Sequence, residues 1–168
     1  MTLNFEAMQI RGSPTPLSVR SARVEEASGL SALCVRSKAV WGYDPSFMAL
    51  ARTALEVSPE QIAAGDVWVP AAEGSIAGIV SLGPGNQPDT LDLDKLFVEP
   101  VRIRTGVGRL LLAHAVREAR RRGANRLTIL ADPNAAGFYE RCGARSIGEA
   151  PSNAIPGRLL PLLEITLE

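Results

Sequence analysis

The chain has 168 residues, a length that suits one compact domain able to bury a core without disulfide or metal staples. Its 18 basic and 18 acidic side chains cancel, so no overall field gathers nucleic acid or an anionic membrane, and any anion site has to be local. The two cysteines, Cys34 and Cys142, stand far apart without Cys-x-x-Cys spacing, which predicts neither a disulfide framework nor a zinc site and suits a reducing compartment.

Residues 1–16 show no clear period and end in Gly12-Ser13-Pro14-Thr15-Pro16, so they read as a flexible N-terminal extension and leave 17–168 as a single domain. Alternation over Leu17-Ser18-Val19-Arg20 predicts a first strand, and apolar residues at helical spacing from Val24 to Val40 predict an amphipathic helix up to about Trp41. Gly42-Tyr43-Asp44-Pro45 breaks the chain, with Asp44 as the N-cap and Pro45 in the first turn of a helix over 46–55. Ser58 and Gln61, flanking Pro59, are the two ends of a capping box for one or two further helical turns. Val67-Trp68-Val69 and the run from Ser75 to Leu82 predict a hairpin turning at Glu73-Gly74, followed by a loop over 83–88.

Residues 91–98 begin in strict alternation, Leu91-Asp92-Leu93-Asp94, which puts both aspartates on one face. They end continuously apolar in Leu96-Phe97-Val98, as a central strand running from half-exposed to buried does. Helical spacing resumes up to about Arg122, with Leu111, Leu112, Ala115, Val116 and Ala119 on one face and several arginines on the other. The only histidine, His114, falls on the charged side and is expected to be solvated. Gly123 stops this helix, and Arg126 to Ala131 is a strand, so strand, helix and strand form a right-handed crossover. Asp132-Pro133-Asn134 opens a short helix closed by Gly143, and strands over 144–149 and 162–167, separated by a long loop, end the chain.

Between the strand at 91–98 and its helix lies Arg102-Ile103-Arg104-Thr105-Gly106-Val107-Gly108-Arg109. A helix N-terminus has backbone N–H groups without intrahelical partners and the positive end of the peptide dipoles, so it suits a phosphate. Gly106 and Gly108 allow close backbone approach, and the arginines add positive charge. The sequence lacks the Gly-Lys-Ser/Thr ending of a P-loop, and Leu111 stands where a dinucleotide fingerprint wants its third glycine.

These pieces, Leu96-Phe97-Val98 with the Gly106-Val107-Gly108 turn, and about thirty residues on Asp132-Pro133-Asn134-Ala135-Ala136-Gly137-Phe138-Tyr139-Glu140-Arg141-Cys142-Gly143, resemble the GNAT superfamily of N-acetyltransferases. The resemblance covers most of the chain and implies an α+β fold, mixed α/β, with a central mixed but mostly antiparallel sheet of six or seven strands flanked by about four helices. It implies acetyl-CoA as cosubstrate, with no metal, held by Leu96, Phe97, Val98, Arg104, Thr105, Gly106, Val107, Gly108, Arg109 and Phe138 and by Asp132 or Asn134. The family usually has Gln or Arg where this chain has Ile103, so pyrophosphate contact from backbone N–H groups is better supported than contact from a side chain there.

By the same resemblance, Tyr139 donates to the sulfur of CoA, its alternative role being a helix aromatic packed on the sheet, and the N–H of Val98, or of a neighbour in a locally splayed strand, holds the thioester oxygen. Asp92 occupies the position of a carboxylate base, with Asp94 or water as substitutes. Trp41 and Tyr43, in the loop between the first helices, and Arg158, which could read a carboxylate, are the expected acceptor residues. Cys142 is expected to be a small core residue.

The implied activity is direct acetyl transfer to a primary amine of a small molecule. Acetylation of a protein N-terminus or lysine is a second reading, and a non-catalytic acyl-CoA-binding module a third. No nucleic-acid or membrane partner is expected, no window approaches the ~20 apolar residues of a membrane span, and the expected location is cytoplasmic. The oligomeric state stays open, a homodimer among the options.

Overall fold

The computed structural model describes residues 16–168, so all of the predicted extension except Pro16 lies outside the described residues. The first half of the chain lays down β1 (Ser18–Ser21), α1 (Ala27–Ala39), α2 (Pro45–Ala51) and α3 (Pro59–Ala63), then β2 (Val67–Ala72), β3 (Ser75–Ile76) and β4 (Gly78–Pro84). The second half adds β5 (Thr90–Val98), α4 (Val107–Arg121), β6 (Arg126–Leu130), α5 (Ala136–Arg141), β7 (Arg145–Pro151) and β8 (Leu159–Thr166). The helix starts sit where their caps dictate. Asp44 Oδ1 accepts the Phe47 N–H at 2.8 Å, and Ser58 and Gln61 exchange side-chain to backbone bonds of 3.1 and 3.2 Å.

The sheet runs β1-β2-β4-β5-β6-β8-β7, with β3 paired to β2. Among the described strands only β5 and β6 are parallel, joined by the α4 crossover. Eight strands replace the expected six or seven because the return arm of the hairpin divides at Ala77, whose N–H bonds the Pro70 carbonyl at 2.9 Å.

Side chains alternate between two cores. Val67, Val69 and Ile79 face Leu30, Leu33 and Cys34 of α1, whereas Trp68, Val80 and Leu82 face Leu111, Leu112 and Ala115 of α4. A fully buried leucine such as Leu111 contributes roughly 2 kcal/mol from its removal from water. Towards β7 only one face is filled. Leu127, Ile129 and Leu163 join the α4 core with Tyr139 of α5, while Thr128, Leu130, Leu160 and Leu162 line an open cleft on the α1 side.

His114 departs from its sequence reading. Trp68 reaches across the edge of α4, so the imidazole is half-buried edge-on against the indole at 5.1 Å, and its Nε2 is buried without a hydrogen-bond partner among the described residues. Burial holds its pKa below the ordinary value, against a pull upward from Glu118 and with a push downward from Arg117. The folded chain therefore resists a proton that the unfolded chain takes up near pH ~6.5, so stability is full above that pH and declines as pH falls below it. His114→Phe is expected to flatten the drop in melting temperature between about pH 7.5 and 5.5; a variant curve parallel to the native one would exclude His114 as its source.

Candidate functional site

β5 and β6 part after Asp92. Their pairing runs through Thr90 with Arg126, Leu91 with Leu127 and Asp92 with Thr128 and ends there, although β5 continues to Val98. β4 follows β5 to its end, and the Glu99 N–H still bonds the Ala77 carbonyl at 2.9 Å. Successive N–H groups of a strand point to opposite sides. Those of Glu99 and Phe97 therefore face β4, and those of Val98 and Leu96 face the gap that β6 has left.

Simple alternation holds through the aspartates of β5 and breaks just after them. Ser81 pairs with Lys95 and Leu82 with Leu93, so Asp94 is the extra residue of a β-bulge. Upstream of it Leu91 and Leu93 face the α4 core, and downstream Leu96 and Val98 do, a change of parity that turns Lys95 to the cleft side beside Asp94. Asp92 and Asp94 both line the cleft, which measures about 570 Å³, on the strand face opposite Leu91 and Leu93 as their alternation predicts, and the bulge adds Lys95 to that side. Asp94 Oδ2 accepts from Ser81 Oγ and Lys95 Nζ, each at 3.0 Å, and from Gln61 Nε2 at 3.4 Å. Among the described residues Asp92 has a single side-chain partner, the Thr128 hydroxyl, and is the less compensated carboxylate.

Beyond Val98 the chain turns into α4 through two left-handed residues, Arg104 (φ 64°) and Gly106 (φ 90°). Gly106 is the N-cap, a conformation that costs glycine nothing. Its carbonyl accepts the Leu110 N–H at 3.1 Å, so the N–H groups of Val107, Gly108 and Arg109 precede the first helical bond. Arg104 and Arg109 are exposed beside them, Val107 is buried, and the Thr105 hydroxyl turns back to the Arg102 carbonyl. A Cβ on Gly108 would lie 3.2 Å from Phe138 Cζ and 3.8 Å from Val98 Cγ2. Gly108 is thus the point where both sequence pieces meet.

Next to Phe138, and edge-on to it at 5.1 Å, Tyr139 is 7% exposed. Its hydroxyl has no hydrogen-bond partner among the described residues. Burial, reinforced by Cys142 and Asp132, pushes the phenol pKa well above its ordinary value, so the group is a proton or hydrogen-bond donor at neutral pH. Cys142 packs partly buried against the α4 core.

Asp132 follows the end of β6. Its Oδ2 accepts from Lys38 Nζ of α1 and from the Tyr43 hydroxyl, both at 2.7 Å, and its Oδ1 accepts from the backbone and side-chain nitrogens of Asn134 at 2.9 and 3.0 Å. Burial alone would raise this carboxyl, but Lys38, Tyr43 and the Asn134 N–H together hold it below the ordinary value. Tyr43 in turn accepts from Arg158 Nη2 at 2.9 Å and stacks on Phe47 at 4.0 Å and 10°. Lys38 and Arg158 both lie against this ring pair. One carboxylate therefore ties α1, the loop before α2, the loop after β6 and the loop before β8 into a clasp at the cleft. Trp41, 46% exposed, is outside it.

Sequence reasoning missed Lys38, Phe47, Thr128 and Lys95. Lys38 and Thr128 carry no local signal, since their partners are distant in the chain, whereas Phe47 stacks on Tyr43 four residues before it. Lys95 does carry one, because strict alternation would put its ammonium into the α4 core with Leu91 and Leu93.

The profile of the Acetyltransferase (GNAT) family matches residues 38–144. No curated protein matches the chain significantly. Among solved structures, a GCN5-related N-acetyltransferase from Rhodopseudomonas palustris is 24% identical, with a TM-score of 0.72 over 93% of this chain and 98% of that one. The PaiA N-acetyltransferase of Thermoplasma acidophilum, solved with coenzyme A, is 16% identical, with a TM-score of 0.70 over 89% and 98%. The YncA protein of Salmonella typhimurium, solved with acetyl-CoA, is 18% identical, with a TM-score of 0.65 over 90% and 94%. These are likenesses of fold.

Proposed function

Because the chain belongs to the GNAT acetyltransferase family and is an acyltransferase, we propose that it moves the acetyl group of acetyl-CoA directly to the primary amine of a small molecule, with no covalent enzyme intermediate. The observation that carries this reading is the parting of β5 from β6 after three residue pairs, beside a helix start with free N–H groups and above a cleft of about 570 Å³. The gap takes a narrow chain such as pantetheine, the helix start takes its pyrophosphate, and the cleft takes the acceptor. Val107, Gly108 and Arg109 supply backbone N–H groups, and Arg104 and Arg109 supply charge.

Acetyl-CoA brings the acyl group as a thioester. The Val98 N–H, turned into the gap, holds the thioester oxygen as charge develops there. Asp92 receives the proton that the amine must lose, directly or through a water, and Tyr139, kept protonated by burial, donates to the departing sulfur. Cys34 and Cys142 as free thiols support a reducing, cytoplasmic setting, and no helix among the described residues is long and apolar enough to cross a membrane.

Coenzyme A binding tests the reading. At about 100 times its Kd, CoA is expected to add about 2.7 kcal/mol to the stability of the folded chain, read as a rise in melting temperature. Gly108→Val puts methyl groups against Phe138 and should raise the CoA concentration needed for half that shift by roughly tenfold or more. No shift with the native chain at millimolar CoA would sink the assignment, and a folded Gly108→Val variant with native CoA affinity would remove the α4 start from the site.

A further inference from the structure

Four cationic side chains line the cleft, and three have a carboxylate within reach. Lys38 has Asp132 at 2.7 Å, Lys95 has Asp94 at 3.0 Å, and Arg126 has Asp89 at 3.5 Å and Glu164 at 3.9 Å. Arg158 has none among the described residues. Its one side-chain bond, from Nη2, goes to a neutral hydroxyl, that of Tyr43. Nε and Nη1 have no hydrogen-bond partner among the described residues.

The side chain is nevertheless held. Its guanidinium lies 5.2 Å from the Tyr43 ring centroid and 4.9 Å from that of Phe47, and the backbone beneath it is fixed, the Arg158 backbone N–H donating to the Ile155 carbonyl at 3.2 Å and the Arg158 carbonyl accepting from the Ser152 N–H at 2.8 Å. A half-buried, immobilised guanidinium with an open edge fits a planar carboxylate through two parallel bonds. Asp92 stands farther back along β6. Thr128 bonds Asp92, Leu130 is the next β6 residue to line the cleft, and Asp132 connects through Tyr43 to Arg158. A ligand lying along β6 meets a carboxylate, then an apolar floor, then a guanidinium.

We propose that the acceptor is an amino-carboxylate whose carboxylate is bound by Arg158 while its amine faces Asp92; this rests on the acetyltransfer reading above. Matched pairs of probes test it: phenylalanine against phenethylamine, leucine against 3-methylbutylamine, and 5-aminopentanoate against pentylamine, each followed by CoA thiol release. In at least one pair the acid is expected to show a kcat/KM about tenfold or more above its amine. Arg158→Gln should lower kcat/KM for that acid about 10- to 100-fold more than for its amine, mostly through KM, and Arg158→Lys should recover only part of the difference. Equal losses for acid and amine in Arg158→Gln would make Arg158 merely structural and overturn the inference. So would turnover of the amines with no preference for any acid while CoA still stabilises the protein, which leaves the acetyltransfer reading standing. No CoA stabilisation and no thiol release with any probe would take down both.

Discussion

Replacing Asp132 with alanine is expected to lower the stability of the folded chain by about 3 kcal/mol, the cost typical of removing one partner of a buried ion pair. The Lys38 and Asp132 side chains are only 15% and 10% exposed, so the ammonium left behind cannot recover its hydration, and the Tyr43 hydroxyl loses its acceptor as well. Lys38→Met in the same background should restore part of the loss, since removing both charges is far less costly than removing one. Denaturant titration of the three variants measures the cycle. A loss below ~1 kcal/mol for Asp132→Ala would mean that water screens the pair as it does a surface salt bridge. The pH dependence has a fixed sign. Because the folded carboxyl is held below its ordinary value, its stabilisation is present above about pH 4 and fades as the solution becomes more acid than that. This window is separate from the one set by His114.

Tyr139→Phe is expected to lower kcat about 100-fold or more while leaving CoA affinity within about threefold, the pattern for a lost proton or hydrogen-bond donor in the transition state. The alternative, an aromatic that only packs on the sheet, makes the opposite forecast for activity and the same one for folding. The hydroxyl bonds no described residue, so its removal orphans nothing and should leave the melting temperature nearly unchanged. An active Phe variant would take Tyr139 out of the chemistry.

What was legible in the sequence was whatever depends on near neighbours. Asp44 with Pro45 and Ser58 with Gln61 start helices where their spacing says, because a cap needs only the next three residues. The β5–α4–β6 crossover and the pairing of apolar faces follow from periods of two and 3.6. The bulge at Asp94 was hidden by reading Leu91-Asp92-Leu93-Asp94 as the whole pattern. Lys95, one residue on, required an extra residue in the strand to keep its charge out of the core. The surroundings of Asp132 were not legible at all. The motif around it points only to the cofactor, while Lys38 and Tyr43 reach it, and Arg158 reaches Tyr43, from segments that nothing local connects.

That remoteness governs when the clasp can form. Lys38 and Tyr43 are 94 and 89 residues from Asp132 along the chain, and Arg158 is 115 residues from Tyr43. Closing such loops costs chain entropy before any contact rewards it, so hairpins and the crossover precede them in folding. Bonds made after the rate-limiting barrier act only on the return path. The clasp is therefore a brake on unfolding: the stability lost with Asp132 belongs in a faster unfolding rate, with refolding close to native speed.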